Sequence, residues 1–289
     1  MPGGGHGFIV TAAAHWQELD FSMQVIGLCR FSYPALGGFQ VEHDSIEDRI
    51  AYLYDEARME ERFRLLEAIA LPCLREQTDP DFDLIMVIGD SLPRAYRDRL
   101  RDLTADLPQV QIRAEPPRRH REVMKEILNS ARKDPGQPCL QFRFDDDDAV
   151  SVDFVERLRA AAGDCSGLMR RNKSVAIDFN RGYLAEAGPD GISAAEGVYS
   201  YFTAALGMHV RGGCPLTIMN FAHNRINRFM PTVTITDAPM FVRTHNRFND
   251  SRQKAVKSPD LAPLTAEQAG EFEARFAIRA PQVQEVFQR

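Results

Sequence analysis

No stretch of this chain reaches eighteen consecutive apolar residues, so no transmembrane helix is expected. The start, Met1-Pro2-Gly3-Gly4-Gly5-His6-Gly7, lacks the basic region of a signal peptide, and the apolar run at 8–14 is short; residues 1–22 read as a poorly determined leader. An excess of positive charge is also missing. Lys and Arg number 35 against 41 Asp and Glu, and the net charge of −6 argues against a non-specific nucleic-acid binder. The five cysteines, Cys29, Cys73, Cys139, Cys165 and Cys214, are scattered and form no C-x-x-C pair, so neither a disulfide framework nor a zinc site is suggested. Four lie in apolar surroundings and read as buried thiols, which fits a reducing cytoplasm. There is no internal repeat and no low-complexity segment.

What remains is ordinary globular composition, 44% apolar and 26% charged over 289 residues, enough to bury a sizeable core. Buried strands are expected at 23–31, 82–88, 110–112 and 139–144. Between them, helical spacing joins Met59, Phe63, Leu66, Ile69, Cys73 and Leu74, with Pro72 kinking or restarting that helix. Further helices are expected from Pro93 and over 121–133, and another capped by Ser151. Alternating strands and helices predict an α/β fold with a mostly parallel sheet and helices on both faces. From about 166 the character changes. Strands are expected at 175–179, 183–187, 197–210 and 240–244, then a helix at 267–276. The division falls inside one domain, 23–289: a ligand-binding half at 23–165 and a mixed half at 166–289.

The strand Cys139-Leu140-Gln141-Phe142-Arg143-Phe144 ends in four aspartates, Asp145 to Asp148. Adjacent carboxylates repel, and a hard divalent cation between them relieves the repulsion. The C-terminal end of a strand is also where open α/β sheets place ligands. The plain alternative is a solvated acidic loop that favours the next helix N-terminus.

Three stretches carry a resemblance. They are Leu28-Cys29-Arg30-Phe31-Ser32, the segment from Met59-Glu60-Glu61-Arg62-Phe63 through Leu71-Pro72-Cys73-Leu74-Arg75-Glu76-Gln77-Thr78-Asp79-Pro80-Asp81-Phe82, and Arg143-Phe144-Asp145-Asp146-Asp147-Asp148-Ala149. In these the chain resembles GT-A glycosyltransferases of the family 2 kind, and more narrowly a bacterial rhamnosyltransferase family, over most of 24–251. The resemblance implies a GT-A fold and transfer of a sugar, rhamnose in the narrower family, from a dTDP- or UDP-sugar to a hydroxyl of a glycan or lipid-linked acceptor. It also implies Mn²⁺ or Mg²⁺ bridging the Asp-x-Asp carboxylates and the donor diphosphate.

By that resemblance Asp145 and Asp147 are the metal carboxylates, and Asp148 is a further ligand or a contact to the donor sugar. Asp146, pointing the other way if the chain stays extended, is grouped with Asp145, Arg30, Asp90 and Arg121 on the donor-binding side. Arg30 is expected to meet a phosphate or the base, and Asp90 the base edge. Pro116-Pro117-Arg118-Arg119-His120-Arg121 brings cations to a helix start, a place that favours a diphosphate. Late histidines complete the set: His245 as a metal ligand, His223 as its competitor, and His209 as a core residue. A general base for the acceptor hydroxyl is expected among Glu196, Asp237 and Asp178, although the family's usual acidic motif is not evident. Two other readings stand beside this one. A sugar nucleotidyltransferase is disfavoured by a loop at 30–38 poor in phosphate-cradling glycines, and a calcium-stabilised binding protein by the absence of EF-hand spacing.

Overall fold

The structure, a computed structural model, describes residues 23–37, 43–246 and 260–289. The leader expected at 1–22 lies outside the described residues, as do the four residues at 247–250 that extend the polar stretch after His245. The strands are β1 (Gln24–Arg30), β2 (Asp83–Gly89), β3 (Val110–Glu115), β4 (Cys139–Phe144), β5 (Ala149–Val150), β6 (Ser174–Phe179), β7 (Arg181–Gly188), β8 (Gly191–Val198), β9 (Leu206–Val210), β10 (Thr232–Ile235), β11 (Phe241–Thr244) and β12 (Ala262–Pro263). Seven form the main sheet in the order β10-β6-β9-β4-β1-β2-β3. Only β9 runs against its neighbours; every other pair in that sheet is parallel. The second sheet has the order β12-β8-β7-β11-β5.

The helices are α1 (Ile46–Leu53), α2 (Glu56–Leu65), α3 (Leu71–Arg75), α4 (Arg94–Leu103), α5 (His120–Ser130), α6 (Phe154–Asp164), α7 (Ser166–Arg171), α8 (Ala266–Phe276) and α9 (Ala280–Gln288). Alternation along β1 sorts them onto two faces. Val25 and Cys29 pack with α2, α3, α4 and α6, while Ile26 and Leu28 pack with Val123, Met124, Ile127 and Leu128 of α5. The expected parallel sheet with helices on both faces is what the chain forms. The first of these clusters also takes in Tyr183 and Phe241 of the second sheet and Phe272 and Phe276 of α8.

Two local expectations differ from the outcome, and one is met. Pro72 restarts the helix, standing in the first turn of α3. Its missing N–H and its ring are accommodated by a widened π turn at Leu66–Ala70, so helical backbone continues from α2 into α3. Ser151 does not cap α6; it is fully buried, its N–H donates to the Met240 carbonyl at 2.9 Å, and α6 starts after Asp153. The single strand expected at 197–210 is two strands separated by a loop at 199–205. Tyr201 (φ 62°) and Ala205 (φ 56°) adopt left-handed backbone there, which a pleated strand cannot contain.

Candidate active site

In the main sheet β1 lies between β2 and β4, so the chain winds outward in opposite directions on its two sides. The crevice at the C-terminal ends of β1 and β4 is therefore the topological switch point, the preferred ligand position of an open α/β sheet. Cys29 pairs with Phe144, so the next residues, Arg30 and Asp145, face the crevice from adjacent strands. The chain leaves β1 through Ser32 (φ 47°), whose hydroxyl accepts from Arg58 Nη1 at 3.0 Å. The loop then pairs with the approach to α5: Leu36 N–H donates to the Arg118 carbonyl at 2.8 Å, and His120 N–H to the Leu36 carbonyl at 3.1 Å. This brings the α5 N-terminus to the end of β1.

A cationic group results. Arg30 Nη1 donates to His120 Nε2 at 3.3 Å, and since arginine has no acceptor, His120 carries its proton on Nδ1. Burial, then Arg30, Arg143 and Arg121, push the His120 pKa down to about 3, so the ring is neutral and the arginines hold the charge. Arg143, half-buried on β4, donates through Nη2 to the carbonyls of Ile218 and Phe221 at 3.1 and 2.9 Å. Burial lowers its pKa to about 10, and Asp145 opposes that shift. Asp90, expected near the base, is exposed at the end of β2; its backbone pairs with Glu115 and Arg97.

The four aspartates are a turn, not an extended strand: Asp148 N–H donates to the Asp145 carbonyl at 3.1 Å. The turn carries the chain from β4 in the first sheet to β5 in the second. Its side chains therefore diverge. Asp146, 1% exposed, is gripped by Arg62 of α2, Nε donating to Oδ2 at 2.8 Å and Nη2 to Oδ1. Asp148 Oδ1 accepts from the Thr244 backbone N–H at 3.0 Å. The Asp147 carbonyl accepts from the Thr244 hydroxyl at 2.5 Å, and its Oδ2 from Asn246 at 3.0 Å. Among the described residues no group donates to the Asp145 carboxylate.

Burial is the main cause holding the Asp147 and Asp148 carboxyls above their ordinary range. Asp145 adds to both shifts, and Arg62 offsets part of that on Asp147. Buried anionic oxygens of this kind favour a divalent cation. Among the described residues no three His, Cys, Asp or Glu side chains form a ready-made cage. That does not conflict with Mg²⁺-type binding, which uses one or two carboxylates and takes its other oxygens from substrate phosphates and water. Asp145 and the remaining oxygen of Asp147 fit that role. His245 follows β11 with its N–H on the Ala185 carbonyl at 2.8 Å, and Asp147 acts on its ring electrostatically.

The two acidic residues favoured as general base are each paired with an arginine, and Glu196 lies opposite Tyr183 of β7. Arg181, at the start of β7, donates to Glu196 at 2.6 Å and to the Asp237 carbonyl at 3.2 Å. Arg157 holds the Asp237 carboxylate at 2.5 Å and keeps its pKa below the ordinary value. Asp178, the third choice, is on the sheet edge that carries Asp145. It pairs with Leu206 of β9, and the same part of β9 meets β4 at Phe142, one residue before Arg143. Two strand spacings, about 10 Å, separate Asp178 from Arg143. His209 is buried in β9, where burial lowers its pKa to about 4.

Residues 24–258 match the family model described as "Putative rhamnosyl transferase". The chain belongs to this family. None of the curated proteins matches its sequence. Among solved structures it is similar to S. aureus TarS 1–349 in complex with UDP-GlcNAc, at 12% identity and a TM-score of 0.39, covering 79% of this chain and 60% of that one. It is likewise similar to S. aureus TarS, at 10% identity and a TM-score of 0.39, covering 77% of this chain and 37% of that one.

Several residues of this rhamnosyltransferase-family site were not singled out from sequence. Arg62 falls on the apolar stripe of its helix between Met59 and Phe63, and a charge on such a stripe signals a buried partner. Arg143 interrupts the phenylalanines of β4 in the same way. Thr244 and Tyr201 act through backbone groups, which side-chain type does not reveal.

Proposed function

We propose that this protein is a metal-dependent glycosyltransferase that moves rhamnose, or a similar hexose, from a dTDP- or UDP-sugar to a hydroxyl of a glycan or lipid-linked acceptor. The observation that carries this reading is the meeting of Asp145 with Arg30, Arg143 and the α5 N-terminus at the switch point of the sheet. Carboxylates suited to a divalent ion and guanidiniums suited to phosphate oxygens then address one diphosphate from two sides. Asp145 and Asp147 would hold Mn²⁺ or Mg²⁺, which when bound neutralises charge developing on the leaving diphosphate. Arg30 and Arg121 would bind the phosphate oxygens, and Asp90 the nucleoside. Arg62 and Thr244 keep the aspartate turn in place through Asp146, Asp147 and Asp148. A cytoplasmic setting goes with the four buried thiols, and among the described residues no helix is long and apolar enough to cross a membrane.

Isothermal titration with dTDP and UDP, each with and without Mn²⁺, tests the reading. Micromolar binding that requires the ion is expected; absence of heat under all four conditions would sink it. Release of pyrophosphate from a nucleoside triphosphate and a sugar phosphate would instead favour nucleotidyl transfer.

A further inference from the structure

Three elements converge through one backbone unit beside the sheet edge that carries Asp145. Tyr201, in left-handed conformation at φ 62°, donates its N–H to Asp178 Oδ1 at 3.0 Å, and its carbonyl accepts from His223 Nδ1 at 2.6 Å. Asp178 is 1% exposed, and its Oδ2 has no hydrogen-bond partner among the described residues. A left-handed non-glycine residue is costly, and such strain persists where the surroundings over-determine it. Here both backbone groups of Tyr201 are committed, one to each side chain.

The consequence falls on His223. A carbonyl only accepts, so Nδ1 carries the ring proton and Nε2 presents a lone pair. Among the described residues no group hydrogen-bonds to Nε2. The ring is also anchored to the catalytic edge. His223 opens a 3₁₀ segment, His223–Arg228, and the carbonyls of Ile218 and Phe221 just before it are held by Arg143, two residues from Asp145. The charged groups that act on the ring are Arg143, Arg243 and Asp145; with burial, the arginines favour its neutral form and Asp145 opposes them.

We infer that His223 is a catalytic residue, the group that takes the proton of the acceptor hydroxyl. The assignment rests on the glycosyl-transfer reading above. The hydroxyl proton passes to Nε2 as the acceptor oxygen bonds to the anomeric carbon. The bond from that carbon to the diphosphate oxygen breaks, and its electron pair leaves with the nucleoside diphosphate. The imidazolium then releases the proton to solvent. Asp178 and Tyr201 are positioning residues: they set the tautomer and the direction of the ring.

Wild type, H223A and H223N are compared in two measurements: titration of dTDP and UDP with Mn²⁺, and release of nucleotide diphosphate from dTDP-rhamnose and UDP-GlcNAc with methyl glycosides as acceptors. Nucleotide affinity is expected within about threefold of wild type in both variants, with melting temperatures lowered by no more than a few degrees through loss of the bond to Tyr201. Release is expected to fall about 100-fold or more and to recover in part when free imidazole is added to H223A. Turnover of H223A within threefold of wild type overturns the assignment. So does loss of nucleotide binding together with turnover, which would make the ring a donor or metal contact. A wild-type protein that neither binds nor turns over any of these nucleotides removes the glycosyl-transfer reading itself, and this assignment falls with it.

Discussion

Arg62 and Asp146 are joined by a two-point, buried ion pair, with the Nε–Oδ2 contact at 2.8 Å. The pair ties helix α2 to the aspartate turn. It also bears on which carboxylates are available: Asp146 is taken by Arg62, Asp147 Oδ2 accepts from Asn246, and the Asp145 carboxylate receives no hydrogen bond among the described residues. Removing one member leaves an uncompensated charge in the interior, at a cost of roughly 3–5 kcal/mol. R62A is therefore expected to lower the melting temperature by several degrees and to reduce turnover, and R62K, which loses the fork geometry, to do so in smaller measure. The double variant R62M/D146L should melt higher than R62A. A double variant no more stable than R62A would show that the pair is not what the turn depends on.

Asp145 and Asp147 differ from Asp146 in kind. Neither is held by a buried guanidinium, so their neutral isosteres should fold normally. D145N and D147N are expected to melt within a few degrees of wild type and to lose Mn²⁺-dependent nucleotide binding. Turnover should fall by two orders of magnitude or more. Adding EDTA to the wild type should reproduce the loss, with recovery on return of Mn²⁺. Unchanged nucleotide affinity in both variants would rule out a metal at this turn.

Asp178 gives a pH-dependent stability with a definite sign. Burial raises its pKa from the ordinary 3.8 to about 6, above the value in the unfolded chain. Its contribution is therefore fully present below about pH 3.8 and is lost as the pH rises through 6. A shift of about two units corresponds to roughly 3 kcal/mol at neutral pH. D178N keeps an acceptor for the Tyr201 N–H without the buried charge. It should melt about 5–10 °C above wild type at pH 8 and close to it at pH 4.5. An equal difference at both values would mean that ionisation of Asp178 is not the cause.

The arginines near the switch point should separate into binding and structural groups. Arg121 is exposed at the start of α5, so R121A is expected to weaken nucleotide diphosphate binding about tenfold with no change in melting temperature. Its remaining affinity should depend less steeply on salt. Arg143 is half-buried and holds two carbonyls of the segment before His223, so R143A should lower the melting temperature as well as turnover. Equal melting losses in the two variants would contradict the division.

Periodicity and chemistry determine a good deal of this protein. Alternating strands and helices dictate a parallel sheet, because βαβ connections leave little other choice. A strand ending in aspartates places them at the ligand-binding edge for the same reason. Tertiary structure alone decided what each carboxylate does. Asp145 to Asp148 are chemically identical in sequence, and their partners, Arg62 from α2 and Thr244 and Asn246 from the second sheet and its exit, are 84 to 99 residues away. The split of 197–210 into two strands has the same origin. Its residues have ordinary strand character, but the Tyr201 backbone is claimed by Asp178 and His223, 23 and 22 residues away, and long-range contacts of that kind override local preference.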